Sequence, residues 1–155
     1  MIVIEAVRTN SWKAISGQRK VVTVDECASE LRSGDASRPG YVTVSEADLG
    51  RLEVQPVSKL ESAQFRLKYP DADGMDPGER DLLAHAATRV GDFSICSSDK
   101  AAVRAAHALG WLDRVVSLES LADSVGARPN PALRVQFTES RMSEWRAKLH
   151  LGGSF

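Results

Sequence analysis

Short β-branched runs alternate with longer segments of helical apolar spacing along most of the chain. Strand-type runs occupy Val21–Val24, Leu52–Val57, Phe93–Cys96 and Val115–Ser117, and Pro56 limits the second to a short or edge strand. Helical patterns follow these runs. Because strand–helix–strand order favours right-handed crossovers, the pattern predicts an α/β fold with parallel strands.

Capping-box spacing recurs at two predicted helix starts. Thr23 and Glu26 have this spacing directly after the first strand, which predicts a helix there. Ser58 and Glu61 repeat it and predict a helix that ends before Pro70. Both helices therefore begin where a strand-type run has just ended.

The second half of the chain carries the clearest helix signals. Asp76 suits an N-cap and Pro77 the first helical position, which predicts a helix to about Val90 with Val90 on its apolar side. A further helix begins near Asp99 and ends at Gly110. Between the first predicted helix and the Leu52–Val57 strand, the sequence predicts only a loop and a short strand.

Those intervening segments are weaker in pattern. Residues Ser33–Gly40 are rich in turn formers, so we predict a loop there. Tyr41–Val44 is β-branched and is a candidate short strand.

Length and composition fit one globular domain. The 155 residues are 43% hydrophobic and 26% charged, which excludes disordered, collagen-like and coiled-coil classes. We predict an α/β domain over residues 1–125, with a loop and an amphipathic helix over 126–155 packed on the same domain. The apolar stripe of that terminal helix comprises Met142, Trp145 and Leu149.

The sequence also bears on cellular location. No apolar run approaches the roughly 18 residues of a membrane span, and the N-terminus lacks signal-peptide features. The two cysteines, Cys27 and Cys96, lack Cys-x-x-Cys spacing, which argues against a zinc ribbon. We therefore expect a cytoplasmic protein with two buried free thiols and no membrane partner.

The net charge narrows the possible partners. Twenty basic residues against twenty-one acidic residues give a formal charge of −1. This balance argues against a protein that coats nucleic acid through bulk positive charge. It leaves room for an enzyme that acts on nucleic acid at one local site.

Candidate chemistry lies with the acids that follow the strands. In an open parallel sheet, sites lie beyond the carboxyl ends of the strands, where helices begin. Glu30, Glu79, Asp81 and Asp99 occupy such places in three separate elements. Carboxylates without nitrogen ligands suit Mg²⁺ or Mn²⁺, which can activate water and neutralise a phosphodiester.

The same acids have ordinary structural explanations. Glu79 fits the third position of a helix whose N-cap is Asp76, and Asp99 fits an N-cap or first-turn acid. Glu30 fits a solvated helix position. Residue types and spacing alone leave both interpretations open.

Two motifs resemble the second half of PIN-domain nucleases. One is Asp76-Pro-Gly-Glu79 followed by Asp81-Leu-Leu-Ala-His-Ala, and the other is Ser94-Ile-Cys-Ser-Ser-Asp99. Val115–Leu121 is similar to the strand and short helix that follow in that family. Val21–Glu30 is similar to its earlier strand and helix, so the resemblance covers roughly residues 21–121.

The resemblance implies a three-layer α/β/α sandwich with a central parallel sheet, whose acids bind Mg²⁺ or Mn²⁺ and hydrolyse RNA. By position, Glu30 matches the family's second acid and Asp99 its fourth. Glu79 and Asp81 both fit the third, and because helical positions two apart point about 200° apart, one of them should lead. Many bacterial members are toxins, so RNA, an antitoxin peptide or a homodimer are the implied partners.

Further residues near these acids are candidates for holding the substrate. By the resemblance, Ser97 matches the hydroxyl residue before the last acid and would orient a ligand or water. Lys100 and Arg104 follow Asp99 closely and are candidates for contacting a phosphate or, alternatively, ordinary helix-surface charges. Two basic clusters near the chain ends are candidates for steering RNA toward the metal. They comprise Arg8, Lys13, Arg19 and Lys20, and Arg128, Arg134, Arg141, Arg146 and Lys148.

The N-terminus departs from the family pattern. PIN domains open with a strand that ends in Asp, so Met1–Ile4 is a candidate for that strand, with Glu5 at the Asp position and as a further metal ligand. Alternatively, Glu5–Ile15 forms the first helix and the opening strand is missing or replaced. The second interpretation leaves both the sheet centre and the metal site incomplete.

Three functions therefore compete. The leading one is a metal-dependent endoribonuclease, for which the resemblance implies a role as the toxin of a toxin–antitoxin pair. The alternative is a catalytically degenerate PIN-like binding or assembly module that lacks a complete metal site. A phosphoacceptor or nucleotide-binding domain that uses Asp99 is the third, and the absence of a glycine-rich phosphate loop disfavours its nucleotide form.

Overall fold

The structure is a computed structural model that describes residues 2–33 and 41–155. The loop predicted for Ser33–Gly40 lies almost wholly outside the described residues. Within them the chain is mixed α/β and mostly helical. The helices are α1 (Ile2–Arg8), α2 (Trp12–Gln18), α3 (Asp25–Arg32), α4 (Glu46–Leu49), α5 (Lys59–Lys68), α6 (Pro77–Ala86), α7 (Lys100–Ala108), α8 (Leu118–Asp123) and α9 (Glu139–His150). The strands are β1 (Val22–Val24), β2 (Glu53–Gln55), β3 (Ile95–Cys96) and β4 (Val115–Val116).

The strands pair in parallel, as the element order predicts. β1 pairs with β2 through Val22 opposite Glu53, and β3 pairs with β4 through Ile95 opposite Val115. Among the described residues these are two separate two-stranded sheets, ordered β1–β2 and β3–β4, rather than one continuous sheet.

Helices pack against both faces of β3. Ile95 packs in a core cluster with Phe65 of α5, Leu83 of α6 and Ala102 of α7. Its neighbour Cys96 packs against a second cluster, to which α1, α2 and α8 contribute. Because successive strand side chains point to opposite faces, helices lie on both sides of this strand.

The N-terminus is helical, which overturns the prediction of an opening strand at Met1–Ile4 for the described residues. Ile2, Val3 and Ile4 lie in α1, and Glu5 is in the same helix. Three successive apolar residues suit either state, and tertiary packing of Ala6 in the core beside α2 favours the helix.

Several predicted boundaries shift. The capping box at Thr23 is wrong, because Thr23 is buried within β1 and Val24 precedes the first turn of α3. The capping box at Ser58 is confirmed, with both reciprocal hydrogen bonds present. α6 ends at Ala86, and Val90 is 100% exposed rather than on an apolar face.

Two further outcomes concern the predicted short strand and the predicted helix caps. Tyr41–Val44 belongs to no strand, although Val44 is buried in the core. Asp76 and Asp99 are the N-caps of α6 and α7, as predicted.

The C-terminal helix packs on the α/β body. Thr138 caps α9, and its buried stripe contacts Val103 of α7 and Val115 of β4. Glu139 strengthens this contact, because the hydroxyls of Ser117 and Ser120 donate to its carboxylate at 2.8 and 2.7 Å. The stripe comprises Met142, Trp145 and Leu149, as predicted from the sequence. None of the described helices is both long and apolar enough to cross a membrane.

Candidate carboxylate site in a central cleft

A central cleft of about 1050 Å³ lies between the two sheets. β1 and β3 both line it, α1 and α2 contribute apolar side chains such as Ile2 and Ile15, and α6 contributes Leu82 and Ala86. β1 is paired with β2 and β3 with β4 on their other edges. Their remaining edges therefore face each other across the cleft.

Four acids meet at one end of this cleft, and we call them the carboxylate cluster: Glu30, Asp76, Glu79 and Asp99. Glu30 lies on α3, Asp76 and Glu79 open α6, and Asp99 follows β3. These positions lie beyond the carboxyl ends of β1 and β3, where parallel folds place their sites. Like charges from separate elements thus come together at one place.

The strongest coupling joins Glu79 and Asp99. Burial raises the pKa of Glu79 to about 8, helped by the Asp99 charge, by a hydrogen bond to Asp99 and by the Asp76 charge. A carboxyl with this pKa is largely protonated at neutral pH. The protonated Glu79 carboxyl therefore donates a hydrogen bond to the Asp99 carboxylate.

Glu30 and Asp76 form the second coupled pair. Partial burial raises the pKa of Glu30, and the neighbouring Asp76 charge adds to the effect. Close packing of α6 on α3 at Gly78 brings them together, since a Cβ at Gly78 would lie 3.1 Å from Glu30 Oε1 and 2.9 Å from Cys27 Sγ. A side chain at position 78 of the Asp76-Pro-Gly-Glu79 motif would therefore press on both groups.

Backbone hydrogen bonds orient two members of the cluster. The N–H groups of Ala101 and Ala102 donate to Asp99 Oδ1 at 2.5 and 3.1 Å, and the Gly78 N–H donates to Asp76 Oδ1 at 3.0 Å. Ser97, the predicted orienting hydroxyl, lines the cleft and accepts the Asp99 N–H at 3.1 Å. One oxygen of each acid is therefore held by a helix start.

Two predicted ligands lie elsewhere. Asp81, next but one to Glu79 on α6, approaches Arg80 with 3.5 Å between its Oδ1 and Nε and does not line the cleft. Glu5 is 1% exposed and pairs with Arg8 and Arg134, whose nitrogens lie 2.6 and 3.6 Å from its oxygens. Of the two acids that fit the third position, Glu79 lines the cleft and Asp81 does not.

The predicted phosphate-contacting residues are also held away from the cleft. The Lys100 ammonium lies 5.8 Å from the centre of the Phe155 ring, and Arg104 donates to the Phe155 carbonyl oxygen. Five members of the two basic clusters are engaged in ion pairs with acids of this chain. These five are Arg8, Lys20, Arg134, Arg141 and Arg146.

Both cysteine thiols line the cleft as free thiols. Burial raises the pKa of Cys27 to about 11, with the Glu30 charge contributing, and burial raises the pKa of Cys96 to about 12. A thiol is a nucleophile or metal ligand only as the thiolate. Neither cysteine is therefore set up for nucleophilic chemistry at neutral pH.

Asp76 is the cluster member that sequence reasoning assigned to helix capping alone. Its position was informative, because an N-cap residue of a helix that begins beside a strand end lies at the edge where the other acids were expected. What the sequence did not reveal is the contact between α3 and α6 that brings Asp76 to Glu30.

The donor chemistry of the cluster fits a hard divalent cation. It consists of carboxylates alone, and like charges that raise each other's pKa are relieved by a cation. In the described ranges, however, no three His, Cys, Asp or Glu side chains form a ready-made metal-ligand group. The cluster thus holds suitable groups close together without a finished cage.

Comparison of the chain with protein-family models, with curated proteins and with solved structures gives no match.

Proposed function

We propose that this chain is a metal-dependent endoribonuclease of the PIN type, with Mg²⁺ or Mn²⁺ bound by the carboxylate cluster. The observation that carries this proposal is the meeting of Glu30, Glu79 and Asp99, from three elements, at the carboxyl ends of β1 and β3. Grouped acids with a strongly raised pKa are characteristic of functional sites, because they disfavour folding unless a ligand uses them.

The four acids would hold the metal, with Asp76 added to three of the five predicted ligands, Glu30, Glu79 and Asp99. When bound, the cation would supply an activated water and charge neutralisation for a phosphodiester. Asp99 is oriented for this role by the start of α7, where the Ala101 and Ala102 N–H groups hold its Oδ1. Glu79, with a pKa of about 8, holds a proton near neutral pH that it can release.

The finer architecture belongs to the same proposal. Helices on both faces of β3 support a three-layer α/β/α sandwich of PIN type, to whose central sheet each two-stranded sheet would contribute one side. RNA as the substrate, and a role as the toxin of a toxin–antitoxin pair, rest on the resemblance of the motifs.

The test is cleavage of a fluorophore-quencher RNA with Mn²⁺ or Mg²⁺, compared with EDTA. We expect Asp99→Asn to lower the rate by about 100-fold or more, since asparagine caps a helix as well as aspartate does but removes a charge. Asp81→Asn, outside the cleft, is the matched control and should keep full activity. Equal cleavage by the wild type and Asp99→Asn would contradict the proposal.

A second candidate is a PIN-like binding or assembly module without catalysis. It is favoured by α1, which is helical where the family has its opening strand, and by the lack of a ready-made ligand cage among the described residues. Calorimetry separates the two: Mn²⁺ binding that Glu30→Gln weakens supports the nuclease, and no Mn²⁺ binding supports the module.

A further inference from the structure

The strand edges that face the central cleft have unmet hydrogen-bonding capacity. The Val21 carbonyl oxygen accepts the Glu53 N–H at 2.9 Å, toward β2. Because backbone groups alternate in direction along a strand of a parallel sheet, the N–H and C=O of Val22 point to the opposite edge. Among the described residues β1 has no strand partner on that edge, and neither has β3.

The cleft between these edges has an apolar lining that suits a buried strand. Ile15, Leu82 and Val116 are among its lining residues. His85 also lines it, and both ring nitrogens of His85 are buried without a hydrogen-bond partner in the part of the chain described. Exposed edges of this kind are templates for a further strand, since peptide groups satisfy them in register.

The charged residues that line the cleft are unevenly distributed along the strand direction. Arg19, Lys20 and Arg89 line it near the amino ends of the strands. Asp92 also lines the cleft just before β3, and Lys20 pairs with Glu53 at the start of β2, so the three bases exceed the two acids there. The carboxylate cluster lies at the other end. A strand parallel to β1 and β3 is therefore complementary when it is acidic at its amino end, apolar in the middle and cationic at its carboxyl end.

We infer that the central cleft binds one extended apolar polypeptide strand from outside these 155 residues, parallel to β1 and β3. The added strand joins the two sheets into one continuous parallel sheet, with apolar side chains buried against the helical layers on both faces. β1 to β4 are already paired, and Val44 of the β-branched run Tyr41–Val44 is buried in the core, so these described runs do not supply it. The backbone pairing along β1 and β3 needs no metal, whereas the cationic end of the strand meets the same carboxylate cluster as the cation proposed above.

The probe is an acetylated and amidated peptide of about six residues, the length of an ordinary strand, with the sequence Glu-Val-Thr-Val-Ile-Lys. Amide hydrogen exchange, measured on the full chain, shows which strand edge the peptide occupies. We expect the Val22 amide to exchange about tenfold more slowly with the peptide bound, with protection also at β3. The Thr23 amide, which points to β2, should not change.

Two control peptides test the chemistry. A peptide with the end charges exchanged, Lys-Val-Thr-Val-Ile-Glu, has the same composition and should bind about tenfold more weakly. Proline in place of the second valine removes an N–H donor and interrupts the paired strand, so it should abolish protection at Val22. The same peptide joined ahead of Ile2 by a flexible linker raises its effective concentration and should strengthen protection.

A cleft-filling variant completes the test. Ala86→Trp should abolish peptide binding, whereas Ala108→Trp, an exposed position outside the cleft, should not. Should Ala86→Trp not fold, the exchange pattern of the wild-type chain decides alone. Unchanged exchange at both Val22 and β3, protection confined to β2 and β4, or a dimer of this chain that protects Val22 without peptide would each overturn the inference.

Discussion

The carboxyl of Glu79 on α6 hydrogen-bonds to the carboxylate of Asp99, the residue that caps α7. Burial and the Asp99 charge raise the pKa of Glu79 from 4.5 to about 8. The first turn of α6 and the N-cap of α7 therefore contact each other through this pair of acids. This pair makes the pH dependence of stability and of metal binding predictable.

Glu79→Gln should change how stability depends on pH. A raised folded pKa means that the folded state keeps a proton that the unfolded state has lost, so wild-type stability falls as pH rises from 4.5 to about 8. Glutamine removes this loss, and above that window the variant should be more stable by about 1 to 2 kcal/mol after allowance for solvent screening.

Urea unfolding of both proteins at about pH 5 and about pH 9 measures the difference. Glu119→Gln, a change of the same type at a position that does not line the cleft, is the control. An identical pH dependence for wild type and Glu79→Gln would show that the pair does not share a proton.

Mn²⁺ binding should strengthen with pH. A cation at the carboxylate cluster displaces the Glu79 proton, so affinity should rise about tenfold per pH unit below the Glu79 pKa and level off above it. Calorimetry in buffers of different ionisation enthalpy should detect the released proton. Glu79→Gln should weaken binding and remove its pH dependence, while Asp81→Asn should leave both unchanged.

Gly78→Ala should disturb the carboxylate cluster, because it adds a side chain where α6 packs on α3. The new Cβ would lie 2.9 Å from Cys27 Sγ and 3.1 Å from Glu30 Oε1, so α6 must move away from α3 or the Glu30 carboxylate must turn. We expect a loss of about 1 to 3 kcal/mol in unfolding free energy, the range for overpacking, together with weaker Mn²⁺ binding.

Gly74→Ala is the matched control for this substitution, because a Cβ at Gly74 meets nothing within 4 Å. Thermal unfolding and calorimetry on both variants separate the two positions. A Gly78→Ala protein as stable as Gly74→Ala, with unchanged metal affinity, would contradict the close packing described here.

Glu5→Gln should reduce stability without affecting the cleft. Burial would raise the pKa of Glu5, but hydrogen bonds from the Arg8 side chain and the Arg134 N–H outweigh it and lower the pKa. Breaking this pair should cost about 2 to 3 kcal/mol near neutral pH. Because the folded pKa is lowered, the wild-type advantage persists above pH 4.5 and shrinks as pH falls through the folded pKa.

Chemical unfolding over a pH series checks the Glu5 prediction, and Mn²⁺ calorimetry checks its independence from the site. Glu144→Gln removes an exposed partner of Arg141 and should change stability little. If Glu5→Gln abolished metal binding while the fold stayed intact, Glu5 would belong to the site after all.

Local features of the fold were predictable because they are encoded within a few residues. The Ser58 capping box, the N-caps Asp76 and Asp99 and the buried stripe of α9 all follow from side chains that act on their own helix. Where local signals were ambiguous, as at Thr23, the strand contacts of β1 overrode the capping pattern.

The sequence by itself determined the parallel α/β element order and the helix starts at Ser58, Asp76 and Asp99, because caps and periodicity act over one or two turns. Only the tertiary structure decided that Ile2–Ile4 is helical and that the strands form two sheets around a cleft. It also separated Glu79 from Asp81, joined Asp76 to Glu30 and paired Glu5 with Arg134. Each of these depends on packing between segments distant in the chain, and no local pattern encodes that packing.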